Sequence, residues 1–119
     1  LQRFEDKNAI VIYVSDHAEE VYDLRNVSGH GDETSSYQRE IPMLVWTSAS
    51  FRAAYPEQME RIRAAKDRPY MTDDMIHTLL DLLAVETPEY DASRSIFNPG
   101  FNAQRPRLLK GNAGYQKNL

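Results

Sequence analysis

The stretch "AIVIYVS", residues 9–15, constrains the fold most strongly, because it is apolar on both faces of a predicted strand. Half-exposed strands alternate apolar and polar residues, whereas a continuous apolar run is typical of a central strand in a covered α/β sheet. A central strand needs a hydrogen-bonded neighbour on each side. The stretch therefore predicts an α/β fold in which residues 9–15 lie inside the sheet.

Residues 41–47 form the second predicted strand, and Pro42 is tolerated near the start of a strand or on a sheet edge. No convincing third strand is present. Because a sheet of two strands is marginal in water, the central strand implies sheet partners that this chain does not encode. The polar segment 22–38 between the strands is longer than most connections, and loops of that kind are often functional or disordered.

Two helices are predicted after the second strand. Residues 56–67 begin with a proline suited to the first helical position and place Met59, Ile62 and Ala65 on one face. In the next helix Thr72 is a candidate cap, and the two aspartates that follow suit the positive end of the helix dipole. Its apolar stripe consists of Ile76, Leu79, Leu80 and Leu83. From Glu86 onward prolines, glycines and asparagines replace any periodic pattern, which predicts an irregular C-terminal tail.

The composition limits the chemistry that is available. A chain of 119 residues with 41% hydrophobic residues can build one domain at most, with a modest core. Its apolar runs are far shorter than the roughly 20 residues of a membrane-spanning helix, and we expect no export signal within it. It has no cysteine, so any metal must bind through histidine and oxygen ligands.

The net charge of −4 is unevenly distributed along the chain. Residues 1–91 hold 9 Lys and Arg against 18 Asp and Glu, while residues 92–119 hold 5 Lys and Arg and no acid. An acidic body argues against nucleic-acid binding, which requires a dense cationic face. We interpret the sparse positive charges of the tail as a solvated terminus.

Asp16 and His17 follow the first strand directly, and ligand crevices of α/β sheets form at the carboxyl ends of strands. A carboxylate oxygen and an imidazole nitrogen suit zinc or another borderline divalent ion. The same dipeptide is also common in ordinary turns. The sequence pattern alone leaves both interpretations open.

Further candidates surround this pair. His30, between Gly29 and Gly31, is a candidate third ligand or phosphate contact, or an exposed loop histidine. Glu19 and Glu20 could orient His17 through a hydrogen bond, since metal-bound histidines usually contact a carboxylate or a carbonyl. Glu19 and Glu20 could equally start a short helical turn. His77, beside the apolar stripe, is interpreted as structural, with a hydrogen bond to a nearby carbonyl.

No activated nucleophile is evident in the sequence. It lacks a Gly-rich phosphate loop and a GxSxG elbow, and no convincing base accompanies the hydroxyls nearest the candidate site. Those hydroxyls belong to Ser15, Thr34, Ser35 and Ser36. We therefore assign no catalytic residue within this chain and expect it to be inactive in isolation.

Three features together resemble a known family: the stretch "AIVIYVSDHAEEVYD", the glycine-flanked histidine and the stretch "SSYQREIPMLVWTS". They are similar to the C-terminal part of the catalytic domain of lipopolysaccharide and lipid A phosphoethanolamine transferases, in the sulfatase and alkaline phosphatase-like superfamily. In that family Ser-Asp-His-Gly-Glu follows a central strand, a histidine lies in the next loop, and the following strand begins Ile/Val-Pro. The matching residues are Ser15, Asp16, His17, Ala18, Glu19, His30, Ile41 and Pro42. "PYMTDDMIHTLLDLLAV" and "RSIFNPGFNAQRPR" resemble the segments that follow.

The resemblance implies that residues 1–119 are the C-terminal portion of a sulfatase-like, mixed-sheet catalytic domain whose nucleophile lies upstream. It implies a zinc enzyme in which a threonine moves phosphoethanolamine from phosphatidylethanolamine to lipid A or the lipopolysaccharide core. Asp16 and His17 match zinc ligands, and His30 matches a residue that binds a second zinc or the transferred phosphate. Members lie on the periplasmic face of the bacterial inner membrane, held by an N-terminal region absent here.

One residue departs from the family pattern. Ala18 replaces the usual glycine, which would strain the turn if that position requires a positive φ.

The sequence leaves two alternatives to the transferase open. The first is an arylsulfatase or phosphodiesterase of the same superfamily, and the second is a non-catalytic binding domain that keeps this scaffold.

Overall fold

The computed structural model describes residues 1–23, 25–31, 35–109 and 113–114. The strands are β1 (Ile10–Val14), β2 (Glu20–Val21), β3 (Ser28–Gly29), β4 (Met43–Thr47), β5 (Leu108–Leu109) and β6 (Ala113–Gly114). The α-helices are α1 (Ala49–Ala54), α2 (Pro56–Ala64) and α3 (Met75–Leu82), and 3₁₀ helices span Gln2–Phe4, Ser36–Gln38, Thr72–Asp74 and Ala92–Arg94. The described residues form two compact units, the first within Leu1–Phe51 and the second within Arg52–Tyr115. The predicted α/β class is confirmed.

Strands β1 and β4 form the main sheet of the first unit. They pair antiparallel, with Ile10 opposite Thr47, Ile12 opposite Val45 and Val14 opposite Met43. The strand β4 begins just after Pro42, which has no N–H to donate to a ladder. Both predicted strands are therefore confirmed, each slightly shorter than the sequence pattern indicates.

The two faces of this sheet differ in exposure. Ile10, Ile12 and Val14 are half-buried on one face, whereas Tyr13 is 56% exposed on the other and Leu44, its partner in β4, is 63% exposed. Within the described part of the chain β1 pairs with β4 alone. Within these residues the predicted central position of β1 is therefore not reached, because one apolar face of the strand is open and one edge has no partner strand.

The side chain of Ser48 connects the N-terminal segment, the end of β4 and helix α1. Its Oγ donates to the carbonyl of Lys7 and accepts from the N–H groups of Ala9 (3.2 Å) and Phe51 (3.0 Å). The bond from Phe51 makes Ser48 the N-cap of α1. This helix is an addition to the two that the sequence predicts, and the serine after β4 is the signal that could have revealed it.

Helices α2 and α3 are the two predicted helices. Pro56 opens α2, which buries Met59 and ends three residues earlier than predicted. Thr72 does not cap α3, because a 3₁₀ turn precedes that helix and the carboxylate of Asp74 accepts from the N–H of Met71 (3.2 Å).

Among the described residues no helix is both long and apolar enough to span a bilayer.

Helix α3 buries its polar face and exposes its apolar stripe. Ile76 is 57% and Leu83 72% exposed, whereas His77 and Thr78 are buried. The hydroxyl of Thr78 accepts from the N–H of Ile96 (3.1 Å), and Nδ1 of His77 accepts from the N–H of Asp91 (3.1 Å). His77 is therefore structural, as predicted, but it accepts from a backbone N–H instead of donating to a carbonyl.

The irregular tail contains the most buried part of the second unit. Ile96 is fully buried and Phe97 is 3% exposed. The carbonyls of residues 96–98 accept from arginines: Arg68 donates to Ile96 and Asn98, and Arg61 donates to Phe97. Because side chains satisfy its backbone carbonyls, this segment is buried without forming regular secondary structure.

The expectation of a solvated tail is wrong for two of its arginines. Arg94 contacts Asp74 (3.0 Å) and Asp73 (2.7 Å), and Arg105 contacts the same carboxylates at 2.9 and 2.5 Å. Asp74 is nearly fully buried, and the hydrogen bond from Arg105 is the main cause that lowers the pKa of Asp73. These four residues, the aspartate–arginine quartet, fix the tail to the start of α3.

We expect Arg105→Gln to reduce the free energy of unfolding of the full-length protein by about 1–2 kcal/mol at neutral pH, a modest value because Asp73 is half-exposed. The pKa of Asp73 is lowered in the fold, so its contribution is present above the ordinary aspartate pKa of about 4. This contribution is lost as the pH falls through the lowered pKa of Asp73. The difference in the free energy of unfolding between wild type and Arg105→Gln then narrows. Urea unfolding at a series of pH values measures this difference.

Arg63→Gln is the matched control, because Arg63 pairs with Glu60 where both side chains are largely exposed. It should change the stability little at any pH. The role given to Asp73 would be contradicted if wild type and Arg105→Gln differed in free energy of unfolding by the same amount from neutral pH to about pH 2.

Candidate metal and phosphate site

The turn after β1 is built by its own polar side chains. Ser15 Oγ donates to the carbonyl of His17 (2.7 Å), and Asp16 Oδ1 accepts from the N–H of His17 (3.1 Å). Ala18 does not have a positive φ, so its side chain causes no strain where the family has glycine. Ser15 is thereby occupied in holding the turn.

The imidazole of His17 is oriented by the same turn. Its Nδ1 lies 3.2 Å from the carbonyl oxygen of Ala18, and since a carbonyl only accepts, Nδ1 carries the proton. The lone pair of Nε2 is then available to a metal. Oδ2 of Asp16 lies 3.9 Å from this Nε2, close to the separation of about 3.3 Å between two ligands of a tetrahedral zinc ion.

The hairpin of β2 and β3 brings His30 to the same place. Glu20 pairs with Gly29 across the hairpin, so the residues just beyond that pair, Glu19 and His30, emerge side by side. Gly29 and Gly31 have φ values of +118° and +104°, a conformation that strains residues with a Cβ. The two glycines that flank His30 therefore set the path of the loop.

Three donors meet at this point. The rings of His17 and His30 lie 4.1 Å apart with an interplanar angle of 32°, and Glu19 Oε1 lies 3.0 Å from His30 Nδ1. One ligand atom from each residue lies within 4.8 Å of the others, and we call His17, Glu19 and His30 the donor cluster. Two imidazoles and one carboxylate are a ligand set of catalytic zinc sites that keep an open position.

The predicted site residues therefore lie close together. His17 and His30 meet, and Asp16 lies beside His17. Glu19, expected to orient His17, hydrogen-bonds His30 instead. The side chains of the donor cluster are 44–55% exposed and that of Asp16 is 90% exposed, so the site is open.

The sequence allowed Glu20 to start a short helical turn. In the structure Glu20 lies in β2 instead and is fully buried. Its carboxylate accepts from Arg25 (3.0 and 3.1 Å), Ser35 (3.1 Å) and Gln38 (3.0 Å). The bond from Arg25 is the main cause of a lowered pKa at Glu20, and those from Gln38 and Ser35 add to it. These donors are 5 to 18 residues distant along the chain, and no local sequence signal reveals them.

Two of the candidate hydroxyls near the site have structural partners. Ser15 bonds its own turn, and Ser35 bonds Glu20. Thr34 lies outside the described residues. Neither Ser15 nor Ser35 is placed as an activated nucleophile.

Comparison with known proteins identifies the family of the chain. The family model described as Sulfatase matches residues 1–85. The chain is 37% identical over 99 residues to the phosphoethanolamine transferase CptA of Salmonella typhimurium and 36% identical over 97 residues to EptC of Escherichia coli K12. These matches cover 81% and 79% of this chain but only 17% and 16% of the relatives.

A more distant relative and a solved structure agree with this. The phosphoethanolamine transferase EptA of Salmonella typhimurium is 31% identical over 104 residues, with 83% of this chain and 19% of the relative covered. The crystal structure of the C-terminal periplasmic domain of EcEptC from Escherichia coli matches with a TM-score of 0.71 and 34% identity. That match covers 82% of this chain and 28% of the crystallised one.

Proposed function

Because the chain belongs to the sulfatase family and its curated relatives are phosphoethanolamine transferases, we propose that it is part of such a transferase. The membership confirms the resemblance found in the sequence. The proposed donor is phosphatidylethanolamine, and the proposed acceptor is lipid A or the lipopolysaccharide core. The proposed location is the periplasmic face of the bacterial inner membrane, with anchoring by an N-terminal region outside these residues.

The observation that carries the proposal is the contact between the rings of His17 and His30, with Asp16 beside His17 just after β1. A histidine whose Nδ1 is fixed on a carbonyl, with a carboxylate beside its Nε2, matches the donor types that zinc prefers. Zinc bound there would act as a Lewis acid on phosphoryl oxygens and would favour a deprotonated nucleophile. The residues of this chain therefore fit a zinc site.

Each residue of the site has a distinct proposed role. Asp16 and His17 hold zinc, and His30 holds a second zinc or the phosphate of the transferred group. Glu19 fixes His30 through their 3.0 Å contact. The threonine nucleophile is proposed to belong to the upstream part of the enzyme, together with the remaining metal ligands.

We also propose that residues 1–119 are the C-terminal portion of the catalytic domain. The chain spans about a sixth of the curated relatives it matches. Four apolar side chains that a complete domain would bury are more than half exposed, which supports this proposal. They are Tyr13 and Leu44 on the sheet, Ile76 on α3 and Leu83 just after α3. The preceding part of the same domain is the proposed cover.

The transferase activity can be tested on the full-length protein in vesicles that contain phosphatidylethanolamine with a labelled headgroup and lipid A. We expect the label to appear on lipid A, identified by mass spectrometry, and His17→Ala to abolish the transfer. His77→Gln, a change at the histidine that does not belong to the donor cluster, is the matched control and should retain transfer. Hydrolysis of an aryl sulfate in parallel, without transfer, would instead favour the sulfatase alternative.

Zinc content tests the ligand assignment. The full-length Asp16→Ala/His17→Ala variant should lose most of its zinc, measured by elemental analysis, because two neighbouring ligands are removed. The Lys66→Ala/Asp67→Ala variant removes another adjacent charged pair, which is exposed, and should keep its zinc. Unchanged zinc in the first variant would overturn the assignment.

The proposed cover of α3 predicts different responses at two exposed positions of the same helical segment. In the full-length protein, Ile76→Asn should lower the melting temperature by several degrees, because it puts an amide into a buried apolar contact. Thr72→Asn introduces the same side chain at an exposed position and should have little effect. Equal melting temperatures for the two variants would show that the stripe is uncovered in the whole protein.

A further inference from the structure

The buried carboxylate of Glu20 accepts hydrogen bonds from residues on both sides of His30 along the chain. Arg25 precedes His30, while Ser35 and Gln38 follow it, and all of them donate to this one side chain at 3.0–3.1 Å. The chain from residue 20 to residue 38 is thus closed at a single point. Closing a loop this way restricts the conformations that are open to His30, which lies within it.

The hairpin alone is too small to hold His30 in place. Strands β2 and β3 contribute two residues each, and isolated two-stranded hairpins are marginal in water. The flanking glycines allow the backbone of the loop a wide choice of conformations. A fixed contact between His30 and His17 therefore requires an anchor beyond the hairpin ladder.

Glu20 is placed to supply that anchor. It is adjacent to Glu19, which contacts His30, and it is paired with Gly29, which precedes His30. On the other side, Gln38 ends the 3₁₀ turn that leads into β4, the partner of β1. One carboxylate therefore links the loop that carries His30 to the sheet whose end carries His17.

We propose that Glu20 is a positioning residue, which holds His30 against His17 and so completes the binding site for zinc or phosphate. This inference rests on the proposed function for its ligand, but not for the geometry that Glu20 maintains. A buried carboxylate with four hydrogen bonds does not tolerate loss of its charge, because each of its donors then loses a charged acceptor. Glu20 itself does not face the ligand.

Hydrogen exchange in the metal-free, full-length protein tests the geometry. Glu20→Gln keeps the size of the side chain but replaces an accepting oxygen with a donating amide. We expect backbone exchange of residues 20–23, 25–31 and 35–38 to become at least about tenfold faster, while β1 and β4 keep their protection. Glu60→Gln, the same change at an exposed carboxylate, should leave exchange in these three ranges unaffected.

A double-mutant cycle on the same protein tests the positioning role. Zinc alone and inorganic phosphate alone are titrated into wild type, Glu20→Gln, His30→Ala and the double variant. For whichever probe binds the wild type, each single change should weaken binding about tenfold, and the double variant should be no weaker than either. A purely structural role for Glu20 would instead give additive losses.

The outcomes separate this inference from the proposed function. Unchanged exchange in Glu20→Gln, or additive losses in the cycle, would overturn the positioning role. Unchanged affinity in Glu20→Gln would overturn it as well. If the wild type bound neither probe, the proposed function would fail, while faster exchange would still support Glu20 as the anchor of the His30 loop.

Discussion

Buried and mostly buried carboxylates, held by arginine, amide and hydroxyl donors, organise both units of this chain. In the first unit Glu20 gathers Arg25, Ser35 and Gln38, and in the second unit Asp74 binds two arginines while Asp81 accepts from Arg61 (2.6 Å) and Ser95 (2.6 Å). Apolar packing is limited by comparison, since the buried hydrophobic residues in the described part of the chain are few and scattered. They are Phe51, Met59, Ala65, Ile96 and Phe97.

Such contacts specify geometry more than they add stability. Taking a carboxylate out of water costs several kcal/mol, and its partners return roughly that amount only when the hydrogen bonds are complete. The folded arrangement is then favoured over alternatives in which a donor or the carboxylate is left unpaired. This explains how loops and a tail without regular secondary structure adopt one conformation here.

The sequence predicted the parts of the fold that local rules determine. The apolar runs predicted β1 and β4, Pro56 predicted the start of α2, and Asp16 and His17 lie just after a strand as expected. It did not predict the role of Glu20, whose partners lie 5 to 18 residues away, or the ion pairs of Arg94 and Arg105 with aspartates 20 to 32 residues distant. Long-range partners of a polar side chain leave no periodic pattern in a sequence.

The apolar stripe of α3 shows a second limit of prediction from the sequence, which concerns the face of a helix that is buried. Periodicity correctly predicts a helix with one apolar face, but it does not say which face of the helix this chain buries. Within this chain the polar face is covered, because Thr78 and His77 complete hydrogen bonds to the tail. An apolar helix face can stay exposed in a folded chain, whereas backbone N–H and C=O groups that are buried need hydrogen-bond partners within the same chain.

The same reasoning applies to the proposed site. Its donors are half-exposed, and a site that transfers phosphoryl groups needs surrounding protein to exclude water and strengthen electrostatic interactions. Those surroundings are proposed to come from the upstream part of the enzyme. The donors themselves are already oriented within this chain, since His17 is fixed on the carbonyl of Ala18 and His30 on Glu19, behind the buried anchor of Glu20. Orientation before binding reduces the entropy lost when ligand and remaining residues assemble, so this half of the site sets the geometry that the other half completes.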